Sequence, residues 1–153
     1  MERICFYRVN DPFGAFSNFS PHSVLLKGKV WPTTEHYFQA QKFAGTDSEE
    51  EIRLATSPMI AARLGRSRSR PPRIDWDAVK ESVMREALHA KFTQHQDLRE
   101  LLLSAASRPL VEQTKNDRYW ADGGDGRGLN RLGVLLMELR ASLISESSTT
   151  ASP

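Results

Sequence analysis

The stretch WPTTEHYFQAQKFAG, Trp31 to Gly45, carries a full set of helix signals. Pro32 leads in, Thr33 or Thr34 offers a hydroxyl to cap the first backbone N–H groups, and Gly45 stops the run. At 100° per residue from Glu35, Gln39 falls at about 40° and Lys42 at about 340°, so the three share one polar stripe. His36, Tyr37, Ala40, Phe43 and Ala44 take a mostly apolar face suited to packing inward. Side chains lean toward the helix N-terminus, so Lys42 points back toward Gln39 and Glu35. About 10 Å of rise separates the acid from the amine, room for a small substrate between them. Position alone does not make Glu35 catalytic, since a glutamate in a first turn is already favoured by the positive helix end. His36, on the apolar flank, reads as a hydrogen-bonded core residue rather than a base.

Outward from this helix the pattern is short strands before it and helices after it. Ile4 to Tyr7 reads as a strand and DPFGAFSNFSP as a turn-rich loop. Val24–Leu26 and Val30–Trp31 flank Lys27-Gly28-Lys29 as a hairpin. Asp47 with Glu50 caps a helix over Ser48–Thr56, and Ser57-Pro58 starts another to about Leu64. Pro71-Pro72 interrupts helix, after which Asp75 caps a long one from Trp76 to about His95. Asp97 opens a helix through Ala106, Leu110-Val111 is a short strand, and Asn130 to Ile144 is the last helix. The expectation is a helix-rich α+β fold, one domain over residues 1–145 with strands mainly near the N-terminus. Residues 146–153 have too little apolar surface to bury and are expected to be a disordered tail.

With 153 residues, 39% hydrophobic and 26% charged, the chain fits one globular core and neither a disordered nor a membrane class. No apolar run approaches the roughly 20 residues of a spanning helix. MERICFYRVND lacks the apolar stretch of a signal peptide, and Cys5 is the single cysteine, which rules out an internal disulfide. A reducing, cytoplasmic setting and no membrane partner follow as expectations. His22, His36, His89 and His95 show no paired ligand spacing, so no metal and no cofactor is expected. Arg63, Arg66, Arg68, Arg70 and Arg73 stand together without an acid, a local charge of +5; the whole chain carries +2, leaving −3 for the remainder. That is one local anion site rather than a generally basic surface.

A second loop, NDRYWADGGDGRGLNRLG, runs from Asn116 to Gly133 into a helix start. Its glycines, Gly124 among them, let backbone N–H groups approach an anion, and Arg127 and Arg131 add guanidinium contacts. It is neither a P-loop nor an EF-hand. Its carboxylates Asp117, Asp122 and Asp125 repel phosphate and suit hydroxyls, an amine or a sugar cation. The arginine segment is either a solvated link or a phosphate clamp. Trp76 beside it either stacks on a flat heterocycle or belongs to the core.

Taken in order, FSNFSP, WPTTEHYFQAQKF, SPMIAARLGRSRSRPPR with DWDAVK, and NDRYWADGGDGRGLNRLGVLLMELR resemble the NADAR family, also called YbiA-like, over roughly Ile4 to Leu143. The resemblance implies an N-glycosidase acting on ribosylated amines. In its bacterial branch the substrates are early riboflavin-pathway intermediates, where a pyrimidine amine joins ribose 5-phosphate; other members remove ADP-ribose from guanine. It implies active-site roles for Glu35, Trp76 and an aspartate, Asp117 or Asp122, with Asn18, Lys42, Trp120 and Asn130 lining the pocket.

Breaking a ribose–amine bond needs a proton for the leaving nitrogen and stabilisation of positive charge at the sugar. Glu35 is the expected acid/base and Asp122 or Asp117 the carboxylate at the sugar, while Lys42 suits a Schiff-base nucleophile. Trp76 would stack on the base, Arg66, Arg68 and Arg127 would neutralise phosphate, and Gln39 and Gly124 would contact substrate. The expected partner is a small phosphorylated ribosylamine. Rival readings are an ADP-ribosyl-guanine glycohydrolase acting on nucleic acid, a noncatalytic ADP-ribose or nucleotide-binding module, and a nucleic-acid binder driven by Arg63 to Arg73. The near-neutral total charge weighs against the last.

Overall fold

A computed structural model describes residues 2–150, with side chains through residue 147. In it Thr33 Oγ1 accepts the His36 backbone N–H at 3.2 Å and opens helix α1, Thr34–Gln41. Beyond Gln41 the chain tightens into turns, with Phe43 N–H bonding Ala40 C=O and Ala44 N–H bonding Gln41 C=O. The helix therefore ends sooner than Gly45 alone suggests. All eight residues of α1 are buried, so the Glu35–Gln39 stripe faces protein rather than solvent.

Residues Asn18–Gln94 pack as one compact unit around α1. Strands β1, Ile4–Phe6, and β2, Val24–Leu26, precede it in the chain; β2 pairs antiparallel with β3, Lys29–Trp31, in the register Val24↔Trp31. Gly28 at φ +73° makes that hairpin turn. Helices α2 (Asp47–Arg53), α3 (Pro58–Arg66) and α4 (Trp76–Gln94) each pack against α1. Trp31 and Tyr37 meet edge to face at 5.0 Å in a core shared with Val24, Ile52 and Ala87.

The caps divide by how local they are. Ser57 Oγ accepts the Ile60 N–H at 3.1 Å with Pro58 as the first helical residue, as its sequence signal requires. Asp47 is instead the first residue of α2, with Thr46 in the cap position and no side-chain capping bond. Asp75 does not cap α4 with its carboxylate, which the Arg73 guanidinium holds at 2.6 and 2.9 Å; only its carbonyl receives Ala78 and Val79 N–H. A bidentate charged partner two residues away outcompetes neutral helix donors.

The other unit comprises residues 2–17 and 95–150. Here β1 pairs in parallel with β4, Leu110–Glu112, with Ile4 opposite Leu110, and a single 3-10 turn occupies Gly14–Phe16. Helix α6, Arg131–Thr150, packs on β4 and on α5, Gln96–Ser104. A Cβ at Gly133 would lie 2.1 Å from the Leu110 carbonyl oxygen, so α6 approaches β4 this closely only with glycine. The sequence ended this helix at Ile144; it continues to Thr150, into the segment expected to be a tail, whose residues 151–153 lie outside the described residues. Six helices and four three-residue strands among the described residues make the fold class helix-rich α+β, with three of the strands before α1. None of these helices is long and apolar enough to cross a membrane.

Candidate active site

The arginine-rich link after α3 folds back on the end of α1, because Arg73 N–H donates to the Lys42 carbonyl at 2.7 Å. Between link and helix opens a cleft of 480 Å³, lined by Lys42, Gly65, Arg66, Arg68, Arg70 and Trp76. Its arginines fall into two kinds. Arg70 is tied to Glu51 at 2.8 Å, and Arg73, outside the cleft, to Asp75. Arg66 and Arg68 are exposed and make no ion pair with any described residue. Two guanidiniums thus face the cleft with all their donors available to an anion.

Lys42 is half-buried and reaches the Gly65 carbonyl at 3.3 Å, with its Nζ 5.9 Å from the centre of the Trp76 ring. Burial pushes its pKa below the usual lysine value; the Glu35 charge opposes this, and Arg66 and Lys80 add to it. Trp76 itself is half-buried, its ring 5.1 Å from Phe38 in an edge-to-face contact. Glu35 is 6% exposed, and its Oε1 accepts the Gln39 Nε2–H at 2.8 Å. That bond fixes the Gln39 amide, leaving its Oε1 buried without a hydrogen-bond donor. Asn18 sits under the start of α1: its carbonyl accepts the Glu35 N–H and its Oδ1 accepts the Thr34 hydroxyl at 2.8 Å. His36 bonds Thr33 and the Ala55 carbonyl, and burial lowers its pKa, which matches the core role.

In the other unit the glycine-rich loop is closed on itself. Asp122 is buried, and its Oδ1 accepts Thr114 N–H at 3.2 Å and Gly124 N–H at 2.7 Å. Asp117 Oδ1 accepts Tyr119 and Trp120 N–H, and its carbonyl accepts Gly123 N–H. Gly128 N–H goes to the Asp122 carbonyl and Arg127 N–H to Asp125. Asn130 N–H, Arg131 N–H and Leu132 N–H at the start of α6 go to the carbonyls of Ala121, Tyr119 and Trp120. The donors that the sequence reading offered to an anion are largely taken by the loop's own oxygens. Asn130 likewise directs its amide to the backbone of β4, donating to Leu110 and accepting from Glu112. Trp120 is half-buried beside Tyr119, and Arg127 is an exposed guanidinium without an ion pair among the described residues.

The unit Asn18–Gln94 therefore brings Lys42, Arg66, Arg68 and Trp76 to one cleft, while Glu35 and Gln39 lie buried along α1 outside its lining and Asn18 under the start of that helix. Asp117, Trp120, Asp122, Gly124, Arg127 and Asn130 belong to the other unit. Gly65 is not among the residues the sequence singles out, and Arg70 stands there only as one of the five arginines of the local anion site. A glycine inside a helical pattern was the available signal for Gly65. Nothing local distinguishes Arg70 from Arg66 and Arg68, since its partner Glu51 lies on α2.

Residues 5–144 match the family model of the NADAR domain. The N-glycosidase YbiA of Escherichia coli (strain K12) is 59% identical over 143 residues, spanning 94% of this chain and 89% of that protein. The chloroplastic riboflavin biosynthesis protein PYRR of Zea mays is 44% identical over 163 residues, which cover 97% of this chain and 26% of that longer protein. The NMR structure of Escherichia coli YbiA superposes with a TM-score of 0.89 at 57% identity, over 95% of this chain and 87% of that one.

Proposed function

This chain belongs to the NADAR domain family, and from that membership we propose that it is an N-glycosidase. It hydrolyses the C–N bond between ribose 5-phosphate and the amine of early riboflavin-pathway pyrimidine intermediates, in the cytoplasm, with residues 1–145 as its catalytic domain. The likeness to an N-glycosidase and to a riboflavin biosynthesis protein supports the reaction. One observation carries the site. A desolvated lysine, Lys42, lies beside an indole in a cleft with two uncommitted arginines, electrostatically coupled to the buried carboxylate of Glu35.

In the proposed reaction the pyrimidine stacks on Trp76 while Arg66 and Arg68 hold the phosphate. Opening of the ribose ring converts the ribosylamine to an imine at C1. Neutral Lys42 adds to C1, and the pyrimidine amine departs with a proton delivered by Glu35. Water then hydrolyses the Lys42 imine, releasing ribose 5-phosphate and restoring the free amine. Of the two aspartates in the glycine-rich loop, we propose Asp122 rather than Asp117 as the functional carboxylate. Asp122 is buried with one oxygen fixed by two N–H groups, whereas Asp117 serves the turn at Tyr119 and Trp120.

Glu35→Gln keeps the shape of the side chain and should leave the melting temperature nearly unchanged while lowering turnover by about 100-fold or more. Ribose 5-phosphate released from the ribosylaminopyrimidine phosphate, identified by mass, is the readout. ADP-ribosylated guanine DNA is offered in parallel; release of sugar from that substrate alone would replace the pyrimidine assignment. Full turnover by the variant would remove Glu35 from the reaction.

A further inference from the structure

We infer that Gly65 is a positioning residue for the reaction: its bare Cα seats the Gln39 amide against Glu35 while its carbonyl holds Lys42 Nζ. Gly65 lies in the last turn of α3, in ordinary helical backbone, so no special φ demands a glycine there. In such a place glycine is less favourable than alanine by about 1 kcal/mol. The reason for it is steric. A Cβ at Gly65 would stand 2.1 Å from Gln39 Oε1 and 2.7 Å from both Cβ and Cδ of Gln39. The clash involves the root of the Gln39 side chain as well as its tip, so rotating the amide alone does not relieve it.

Gln39 has little freedom to yield. Its Nε2 donates to Glu35 Oε1 at 2.8 Å, which turns its Oε1 toward Gly65, where it is buried without a donor. An amide that leaves its own oxygen unsatisfied to serve a carboxylate is held by its surroundings, and Gly65 packs against it among these. The same residue accepts from Lys42 Nζ at 3.3 Å. One peptide of α3 therefore touches both ends of the polar stripe on α1, through Gln39 at the acid and directly at the amine. A side chain at this point pushes Gln39 off Glu35 and α3 away from α1, and so loosens Glu35 and Lys42 together.

The inference rests on the N-glycosidase reading only for its kinetic readout. Gly65→Ala should lower kcat by about 10- to 100-fold, the scale of ångström misplacement of reacting groups, with KM changed by less than about 3-fold. Gln39→Ala should lower kcat to a similar extent. Gly65→Ala introduced on top of Gln39→Gly, which removes the Cβ as well, should add less than about 2-fold, because every Gln39 atom that the new Cβ would meet is gone. Losses that multiply across the two sites, or a Gly65→Ala protein with full kcat, overturn the inference.

An independent readout is the Gln39 side-chain NH2 resonance in a 15N spectrum, which should shift in Gly65→Ala as its bond to Glu35 breaks. An unmoved resonance overturns the inference whether or not the wild-type protein releases ribose 5-phosphate. A wild-type protein without that activity overturns the glycosidase reading and leaves Gly65 to be decided by the resonance. Should Gly65→Ala fail to fold, Gln39→Ala carries the kinetic test, and full kcat in that variant is the overturning result.

Discussion

An ammonium group in the position of Lys42 loses water on one side and gains only a carbonyl and an aromatic face in return. Burial is the largest influence on its pKa and lowers it; the Glu35 charge raises it, and Arg66 and Lys80 lower it again. Only the deprotonated amine attacks carbon, and its fraction grows as pH rises through the pKa. A lowered pKa thus moves the rising limb of Lys42 reactivity to lower pH than an ordinary lysine shows. Borohydride added during turnover should trap a sugar on Lys42, detected by peptide mass, with yield climbing across that limb. Glu35→Gln removes the one charge that holds the proton on Lys42, so in that variant the limb should shift to still lower pH. No adduct from active wild-type protein would point to direct attack by water.

At the scale of elements, the signals that proved legible were those completed within a few residues. Ser57-Pro58 needs only Ile60 to become a cap, and the structure places that cap as the sequence does. The spacing of Glu35, Gln39 and Lys42 is likewise a property of one helix. Asp75 was not legible as a fork partner of Arg73, because the choice between guanidinium and helix N–H depends on how the link turns. The burial of the polar face of α1, the Gly65 approach and the Arg70–Glu51 pair all require α2 and α3 to be in place. Asn130 shows the same limit. Asn130, a motif position expected to line the pocket, joins α6 to β4 through its side chain, at φ +49°, a conformation that asparagine tolerates better than most residues. Asn130→Ala should cost about 2 kcal/mol or more by leaving the Glu112 N–H and Leu110 carbonyl unserved. Asn130→Gly, which relieves the backbone but loses the same bonds, should fall between it and wild type in urea midpoint. Unchanged midpoints with a raised KM would return Asn130 to the substrate.

On the scale of the whole molecule, charge is not sorted simply into surface and core. The +5 segment is partly neutralised by Glu51 and Asp75, which leaves a small anion site instead of a broad basic face. Two cations among the described residues went the other way, Arg140 and, deeper still, Lys91. Lys91 on α4 is fully buried, with its Nζ 5.5 Å from the centre of the Phe92 ring, and burial lowers its pKa to about 7. The sequence held a sign of this, because Lys91 follows Met84 by seven residues along the apolar stripe of that helix. In the unfolded chain the same group titrates near its ordinary value of 10.5. Below about pH 7 both states carry the proton, and the folded state holds the charge in the core. Between the two values the unfolded state holds the proton more than the folded state does, so stability rises with pH. The effect of Lys91→Met, which keeps the length and removes the charge, should therefore be more favourable to stability at pH 6 than at pH 10. The difference between the two effects should be on the order of a few kcal/mol. Urea unfolding of both proteins at each pH measures it, and comparison with wild type at the same pH cancels the other titrating groups. An equal effect at both pH values would mean that Lys91 enters the core without losing its proton.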